Sequence, residues 1–371
     1  MKLTLSRDAL LKSLSHIQSV VERRNTIPIL ANVLIRVTPE GVFLTATDME
    51  IEINEAIDAH VSKTGTITAP AHTLYEIVRK LPDGADVELS AAETGPLTLS
   101  SGRSHFKLGC LPVDDFPVMP DSDLAHTFRL SASALKDMVD RARFAMSSEE
   151  TRYYLNGIYM HATKNDKLNV LRMVATDGHR LARVEMPAPE GSIDIPGVIL
   201  PRKTVGEVRK LIDESADEIE VALSETKVRF SFGGVVITSK LIDGTFPDYE
   251  RVIPSGNDKT LEVNAKTFAA AVDRVATIST EKSRAIKMGL SDEAIVLTAN
   301  SPDAGSAQEE IEARFDGAPI DIGFNAHYLL DILQRIGSEG ARFMLADSTA
   351  PAVIQDVSDS SALYVLMPMR V

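Results

Sequence analysis

The sequence predicts an α+β fold made of three tandem copies of one module, each about a third of the 371 residues. Three observations predict it. A strand running into a capped amphipathic helix occurs three times, a strand ending in Thr-Asp or a close equivalent occurs three times, and a second strand-to-helix passage occurs three times, always in that order. Between them run alternating hairpins, so each copy reads as two helices packed on about eight antiparallel strands.

The first passage is Leu3-Thr4-Leu5-Ser6, then Ala9-Leu10-Leu11 and Leu14. It returns as Phe128-Arg129-Leu130-Ser131, then Ala134-Leu135, Met138-Val139 and Ala142, and again as Leu261-Glu262-Val263-Asn264, then Phe268, Ala271-Val272 and Val275. Ser6, Ser131 and Asn264 each carry a side-chain oxygen able to accept from the free N–H groups of a helix's first turn. The Thr-Asp strands are Leu44-Thr45-Ala46-Thr47-Asp48, Met173-Val174-Ala175-Thr176-Asp177 and Leu297-Thr298-Ala299-Asn300. The second passage starts at Ile67-Thr68-Ala69-Pro70, Val198-Ile199-Leu200-Pro201 and Ile322-Gly323-Phe324-Asn325. Leu5, Leu130 and Val263 stand 125 and 133 residues apart, and Pro70, Pro201 and Asn325 stand 131 and 124 apart. Val228-Arg229-Phe230-Ser231-Phe232 turns at Gly233-Gly234 into Val235-Val236-Ile237 as a hairpin. The first two copies close on Asp115-Phe116-Pro117 and Thr245-Phe246-Pro247. Module boundaries are expected at 1–125, 126–254 and 255–371.

Composition narrows the function. No run approaches the roughly 18 apolar residues of a membrane span, and the N-terminus lacks an apolar signal core, so a cytoplasmic protein without membrane contact is expected. The single cysteine, Cys110, excludes an internal disulfide framework and a cysteine-based zinc site. Eight scattered histidines show no ligand spacing, so no metal and no cofactor are expected. The net charge is −14, which repels a polyanion if spread evenly. It is not spread evenly. The helical windows 6–19, 71–81, 133–146, 202–212, 265–278 and 326–336 hold fourteen basic and seven acidic residues, a net +7, against −21 elsewhere. A cationic helical face on an acidic body suits sequence-independent phosphate contact. Nothing suits base readout: no zinc-finger spacing, no basic zipper and no Trp.

Thr176-Asp177-Gly178-His179-Arg180 admits a hydrolase reading, with Asp177 orienting His179 as a general base. No G-x-S-x-G elbow, phosphate loop or His-Glu-x-x-His accompanies it, and Asp-Gly is also a good turn. Arg152-Tyr153-Tyr154-Leu155-Asn156-Gly157 gathers two of seven tyrosines beside an arginine, as a binding segment or as a strand with one buried tyrosine. The C-terminal Tyr364-Val365-Leu366-Met367-Pro368-Met369-Arg370-Val371 is too apolar for a fraying tail and is expected in a sheet. Its methionines line an adaptable pocket or fill the core.

These segments, with Ala175-Thr176-Asp177-Gly178-His179-Arg180-Leu181-Ala182, Phe246-Pro247-Asp248-Tyr249, Met367-Pro368-Met369-Arg370 and Ile27-Pro28-Ile29-Leu30 after Arg24, resemble the signatures of the DNA polymerase III β subunit, the bacterial sliding clamp. The resemblance runs from residue 24 to residue 370. It implies a non-catalytic processivity factor: two three-module chains close head to tail into a ring around duplex DNA, helices inward, and topological linkage tethers the polymerase. The implied partners are duplex DNA, the replicative polymerase, the clamp loader, repair polymerases and other clamp-motif proteins, and a second copy of the chain. A ring-forming scaffold with no DNA role is the alternative from another class.

Family positions carry over residue by residue. One peptide subsite maps to Leu155, Thr176, Gly178, His179, Arg180, Leu181, Pro247, Arg251, Val252 and Val365. The other maps to Asn325, Tyr328, Thr349, Pro351, Met367, Pro368, Met369 and Arg370, with Arg152 nearby. DNA-facing positions map to Arg24, Tyr153, Tyr154, Arg202 and Lys203; Glu149 stands where the family has a neutral polar contact. Interface positions map to Phe106, Thr277 and Ile278, with Thr277 more polar than the family's aliphatic residue. Arg103 and Lys107 on one edge are expected to face Glu309, Glu310 and Glu312 on the other.

Overall fold

The computed structural model describes residues 1–23, 26–92, 95–120, 123–213, 218–279 and 284–370. Its α-helices among these residues are α1 (Arg7–Val20), α2 (Ala71–Lys80), α3 (Ala132–Ala142), α4 (Arg202–Ile212), α5 (Ala265–Ala276) and α6 (Ala326–Leu333). Four of the six predicted windows match within two residues. The predicted 133–146 ends at Ala142, because Arg143–Ala145 tightens into a 3-10 turn. The predicted 326–336 ends at Leu333, where Arg335 and Ile336 donate one residue too near, to Ile332 and Leu333.

The caps form as their residue types require. Asp8 N–H donates to Ser6 Oγ (3.2 Å), Ala134 N–H to Ser131 Oγ (3.2 Å) and Thr267 N–H to Asn264 Oδ1 (2.9 Å). Apolar residues at spacings of three and four then turn inward: Leu10, Leu14 and Ile17 on α1, and Phe268, Ala271, Val272 and Val275 on α5, all buried. Each such large side chain contributes roughly 1.5–3 kcal/mol on leaving water.

The chain divides into two compact units. One comprises Met1–Leu135, Pro189–Ile195 and Lys203–Leu241. It holds a five-stranded sheet, in the order His60–Lys63, Lys2–Ser6, Asp86–Ser90, Leu97–Ser101, Ser104–Leu108. It also holds an eight-stranded sheet in which Val235–Lys240 pairs with Ile51–Ile57, joining strands of the first and second predicted modules.

The other unit comprises Lys136–Ala188, Pro196–Arg202 and Ile242–Val371. Its nine-stranded sheet runs Val198–Pro201, Gly157–Asn165, Leu168–Thr176, Arg180–Pro187, Ala362–Leu366, Ala352–Asp356, Gly340–Leu345, Lys259–Asn264, Arg314–Asp316. A four-stranded sheet runs Gly305–Glu312, Ala294–Ser301, Ala285–Ser291, Ile320–Asn325. Every strand pairing described in the two units is antiparallel. The C-terminal segment lies in the large sheet, with Ala362–Leu366 between Arg180–Pro187 and Ala352–Asp356. Met369 continues it by a single bridge to Gly323.

Candidate functional site

The site grows from the register of the nine-stranded sheet. Opposed residues of antiparallel strands point to the same face. Ile199 opposes Tyr159, Tyr159 opposes Val174, Leu181 opposes both Thr176 and Val365, and Val365 opposes Val353. These small and medium apolar side chains form a shallow floor, and Leu155, Phe246 and Tyr249 pack against it in one buried cluster. Phe246 lies flat on Tyr159 with ring centroids 4.9 Å apart. Residues 247–252 then rise as a wall, and a cavity of about 390 Å³ remains in front of it. Leu155, Leu181, Val365, Pro247, Val252 and Met367 supply its apolar lining, and Val252 and Met367 are 55% and 42% exposed at its rim. An apolar concavity with a few orienting polar groups is the form of a ligand site.

The polar corner is Thr176–Arg180. Asp177 Oδ1 accepts from the His179 and Arg180 amides (2.9 and 3.0 Å), and Thr176 Oγ1 accepts from Gly178 N–H (3.1 Å). Gly178 has φ +88°, which glycine adopts without strain, and a Cβ there would meet Arg152 Nη1 at 2.6 Å and push that side chain aside. Arg180 is a strut. Its guanidinium donates to Asp177 (3.1 Å), Asp331 (2.5 Å) and the Phe144 carbonyl (2.8 Å), and lies between the Phe144 and Tyr328 rings at 5.1 and 4.3 Å. His179 stacks beside Tyr328 with centroids 6.3 Å apart. The Asp177 carboxylate thus faces the turn amides and Arg180, and not the His179 imidazole, which removes the geometry of the hydrolase reading.

Arg152 crosses Gly178 at the mouth and is held by Glu149 through two contacts of 2.7 and 2.8 Å. That hydrogen bond holds the Glu149 carboxyl below the usual range. Arg152 and both tyrosines lie on a 3-10 turn, Glu150–Leu155, and neither tyrosine is fully buried, which removes the alternative of a strand with one buried tyrosine. Tyr154, assigned by resemblance to DNA, lines the cavity, whereas Tyr153 is 53% exposed. Asp248 and Tyr249 also line it and were not singled out from the sequence, although the Phe-Pro-Asp-Tyr motif contains both.

Of the predicted second-subsite residues, Met367 lines this cavity with Arg152 at its mouth, and the others are placed beside it. Asn325 caps α6 by accepting from His327 and Tyr328 amides, and Tyr328 reaches Arg180. Pro351 leads into Ala352, which opposes Leu366, and its carbonyl accepts from Asn257. Thr349 turns back on Asp347, Pro368 and Arg370 flank the Met369–Gly323 bridge, and Arg251 pairs with Asp248 (2.7 Å) outside the lining.

The expected DNA and interface residues divide similarly. Arg24 lies outside the described residues. Arg202 donates to the Met146 and Ser147 carbonyls (2.6 and 2.7 Å), and Lys203 binds Asp48 (2.5 Å), Glu22 (3.3 Å) and the Val20 carbonyl. Ser104–Leu108, carrying Phe106 and Lys107 next to Arg103, and Gly305–Glu312, carrying Glu309, Glu310 and Glu312, are each the last strand of a sheet. Glu309 is bound to Arg274 of its own chain (2.5 and 3.1 Å), a partner the sequence did not indicate. Thr277 caps α5 with Ile278 following, half-buried. Among the described residues no cluster of metal-ligating side chains occurs, and no helix is long and apolar enough to cross a membrane.

Models of the DNA polymerase III beta subunit match in three consecutive parts: the N-terminal domain over residues 1–120, the central domain over 129–248 and the C-terminal domain over 250–370. The chain belongs to the DNA polymerase III beta subunit family. It is 52% identical over 372 residues to the beta sliding clamp of Caulobacter vibrioides, with both chains fully covered. It superposes with a TM-score of 0.97 on a sliding clamp from Bartonella birtlesii bound to griselimycin, at 51% identity with both chains fully covered. A beta sliding clamp from Caulobacter crescentus gives 0.98 at 52% identity, covering 100% of this chain and 99% of that one. The family is a clamp of DNA replication and a processivity factor without catalysis of its own, and the three-module α+β fold is that of the family.

Proposed function

We propose that the cavity bounded by Leu155, Leu181, Val365 and the 247–252 wall receives a short apolar peptide motif from the replicative polymerase, the clamp loader or repair proteins. The observation that carries this reading is an apolar cavity on a rigid sheet face with a polar corner at Thr176–Arg180, in a family one of whose members is bound to griselimycin. Griselimycin is expected to enter the same cavity here. Peptide-proximal residues extend from it to Asn325, Tyr328, Thr349, Pro351, Pro368, Met369 and Arg370, as the second subsite.

The same reading places the chain in a cytoplasmic homodimeric ring around duplex DNA, built of modules 1–125, 126–254 and 255–371. The edge strand Ser104–Leu108 of one protomer adds to Gly305–Glu312 of its partner, which removes two open sheet edges at once. Basic Arg103 and Lys107 then meet Glu310 and Glu312, and Glu309 exchanges Arg274 for the partner. Lys203 contacts phosphate only by exchanging Asp48 and Glu22. Linkage to DNA is topological and the tether raises the polymerase's effective concentration.

The test is retention on nicked circular DNA after treatment with loader and ATP. Retention lost on linearising the circle is expected, and equal retention on both forms overturns encirclement. Removing residues 367–371 is expected to abolish polymerase and griselimycin binding while light scattering still gives a dimer. Unchanged binding overturns the pocket assignment.

A further inference from the structure

Behind the pocket wall lies a line of polar side chains that does not touch the cavity. Register places His161 opposite Arg172, and Arg172 opposite Glu185, on three adjacent strands and on the face that bears the pocket. Arg172 is 4% exposed and Glu185 9%. Arg172 Nε donates to Glu185 Oε2 at 2.7 Å, and the Asn165 amide donates to the other Glu185 oxygen. A pair serving the sheet alone would end there. Instead Arg172 Nη1 reaches out to two residues of the wall, the Tyr249 hydroxyl at 3.0 Å and Glu250 Oε1 at 2.7 Å.

The proton arrangement follows from donor chemistry. Arginine can only donate, so the Tyr249 oxygen accepts from Arg172, and with His161 Nδ1 facing the Ala162 carbonyl the Tyr249 proton goes to His161 Nε2, 3.0 Å away. That requires a neutral imidazole with its proton on Nδ1, beside the Ala162 carbonyl (3.4 Å). Tyr159 stacks on the imidazole at 4.7 Å, and Arg183 points to the same face one row nearer the pocket. The wall's own backbone bond, Ile253 N–H to the Glu250 carbonyl (3.3 Å), is local. Among the described residues its polar attachment to the sheet therefore runs through Arg172 and His161, while the Tyr249 ring faces the cavity.

We propose that Arg172 and neutral His161 are positioning residues for the ligand pocket, anchoring the Tyr249 hydroxyl and Glu250 so that the 247–252 wall is held in shape before ligand arrives. This rests on the reading of the cavity as the ligand site. A preformed wall removes an ordering cost from binding. Protonating His161 puts a second donor against the Tyr249 oxygen and a second cation beside Arg172, and leaves the hydroxyl proton without its acceptor. Burial holds the imidazole below its ordinary value, outweighing the hydrogen bond to the Ala162 carbonyl, with the Arg172 charge adding to it and Glu250 opposing. Loosening is therefore confined to acid.

The sharpest variant is Tyr249→Phe, which keeps the ring and removes only the anchored oxygen. Griselimycin affinity is expected to fall about fivefold to tenfold, the size of one lost buried hydrogen bond. Amide exchange at Ile253 is expected to accelerate without ligand present. Wild-type affinity is expected to hold at neutral pH and decline below the imidazole's ordinary 6.5, and His161→Gln to flatten that decline while His179, at the cavity mouth, remains in both proteins. Tyr249→Phe with unchanged affinity and unchanged Ile253 exchange overturns the anchor, as does a pH profile that His161→Gln leaves intact. Wild-type protein that does not bind griselimycin overturns the pocket reading instead, and the exchange measurement still decides the anchor.

Discussion

Thr47–Ile51 in one unit and Thr176–Arg180 in the other are the same turn with different consequences. In the first, the amides of Glu50 and Ile51 donate to Asp48 Oδ1 (2.9 and 2.8 Å), and Met49 N–H donates to Thr47 Oγ1 (2.9 Å). In the second, His179, Arg180 and Gly178 repeat these bonds on Asp177 and Thr176. The third residue of each has positive φ, +77° at Met49 and +88° at Gly178. What differs is the fifth. Ile51 is 1% exposed and enters the core, whereas Arg180 gathers Asp177, Asp331, Phe144 and Tyr328 around the cavity. A shared backbone turn thus becomes a site or a plain corner according to one side chain and what it reaches.

The largest expected effect breaks this contrast. Arg180→Met leaves the Asp177 and Asp331 carboxylates without their cation, at 15% and 20% exposure, and is expected to lower stability by about 3–5 kcal/mol in urea unfolding and to abolish griselimycin binding. Ile51→Ala is expected to cost about 2–4 kcal/mol while leaving griselimycin affinity unaltered. Equal loss of binding in both would mean that the corners are not functionally distinct.

A smaller effect sharpens it at the third position. Gly178→Ala forces Arg152 aside and strains the turn, and is expected to weaken griselimycin about tenfold with about 1–2 kcal/mol of stability lost. Met49→Gly, at 46% exposure, relieves the same left-handed strain but frees the unfolded chain, so its thermal midpoint is expected to correspond to a change within about 0.5 kcal/mol. The smallest effect concerns the spare aspartate oxygen, which takes Arg180 in one corner and Lys203 in the other. Burial works against the Lys203 ammonium, but Asp48 and Glu22 outweigh it and hold its pKa above the ordinary 10.5. The stability that the pair contributes is then complete below 10.5 and lost as pH rises through the higher folded value. The difference between wild type and Lys203→Met in urea is expected to shrink only in that alkaline range, and a difference that shrinks below pH 9 would contradict the pairing.

Much of this was legible in the residues because it is local. Ser6, Ser131 and Asn264 cap helices with side-chain oxygens that need reach only two or three residues ahead. The positive helical charge was legible as a total but not as a disposition. Arg7 turns inward to Asp8 and Asp83, Arg141 takes Asp137 and Asp359, Arg209 takes Asp213 and Arg274 takes Glu309. Several of these acids lie outside the helices, so the positive charge left without a paired acid is smaller than a count over helical windows suggests. The place of Tyr154 in the cavity lining was not legible for a related reason: Glu150–Leu155 winds as a 3-10 turn, which sends adjacent tyrosines to different surroundings.

By itself the sequence determined the threefold order of elements, their caps and their Thr-Asp corners, since periodicity and short-range hydrogen bonds are decided within a few residues. Only the tertiary structure decided that Arg180 is a strut, that Tyr154 and Tyr249 line the cavity, and that His161, Arg172 and Glu185 stand in one row beneath its wall. Those side chains find partners across strands or from remote turns, and which partner each meets depends on register and packing that no neighbouring residue specifies.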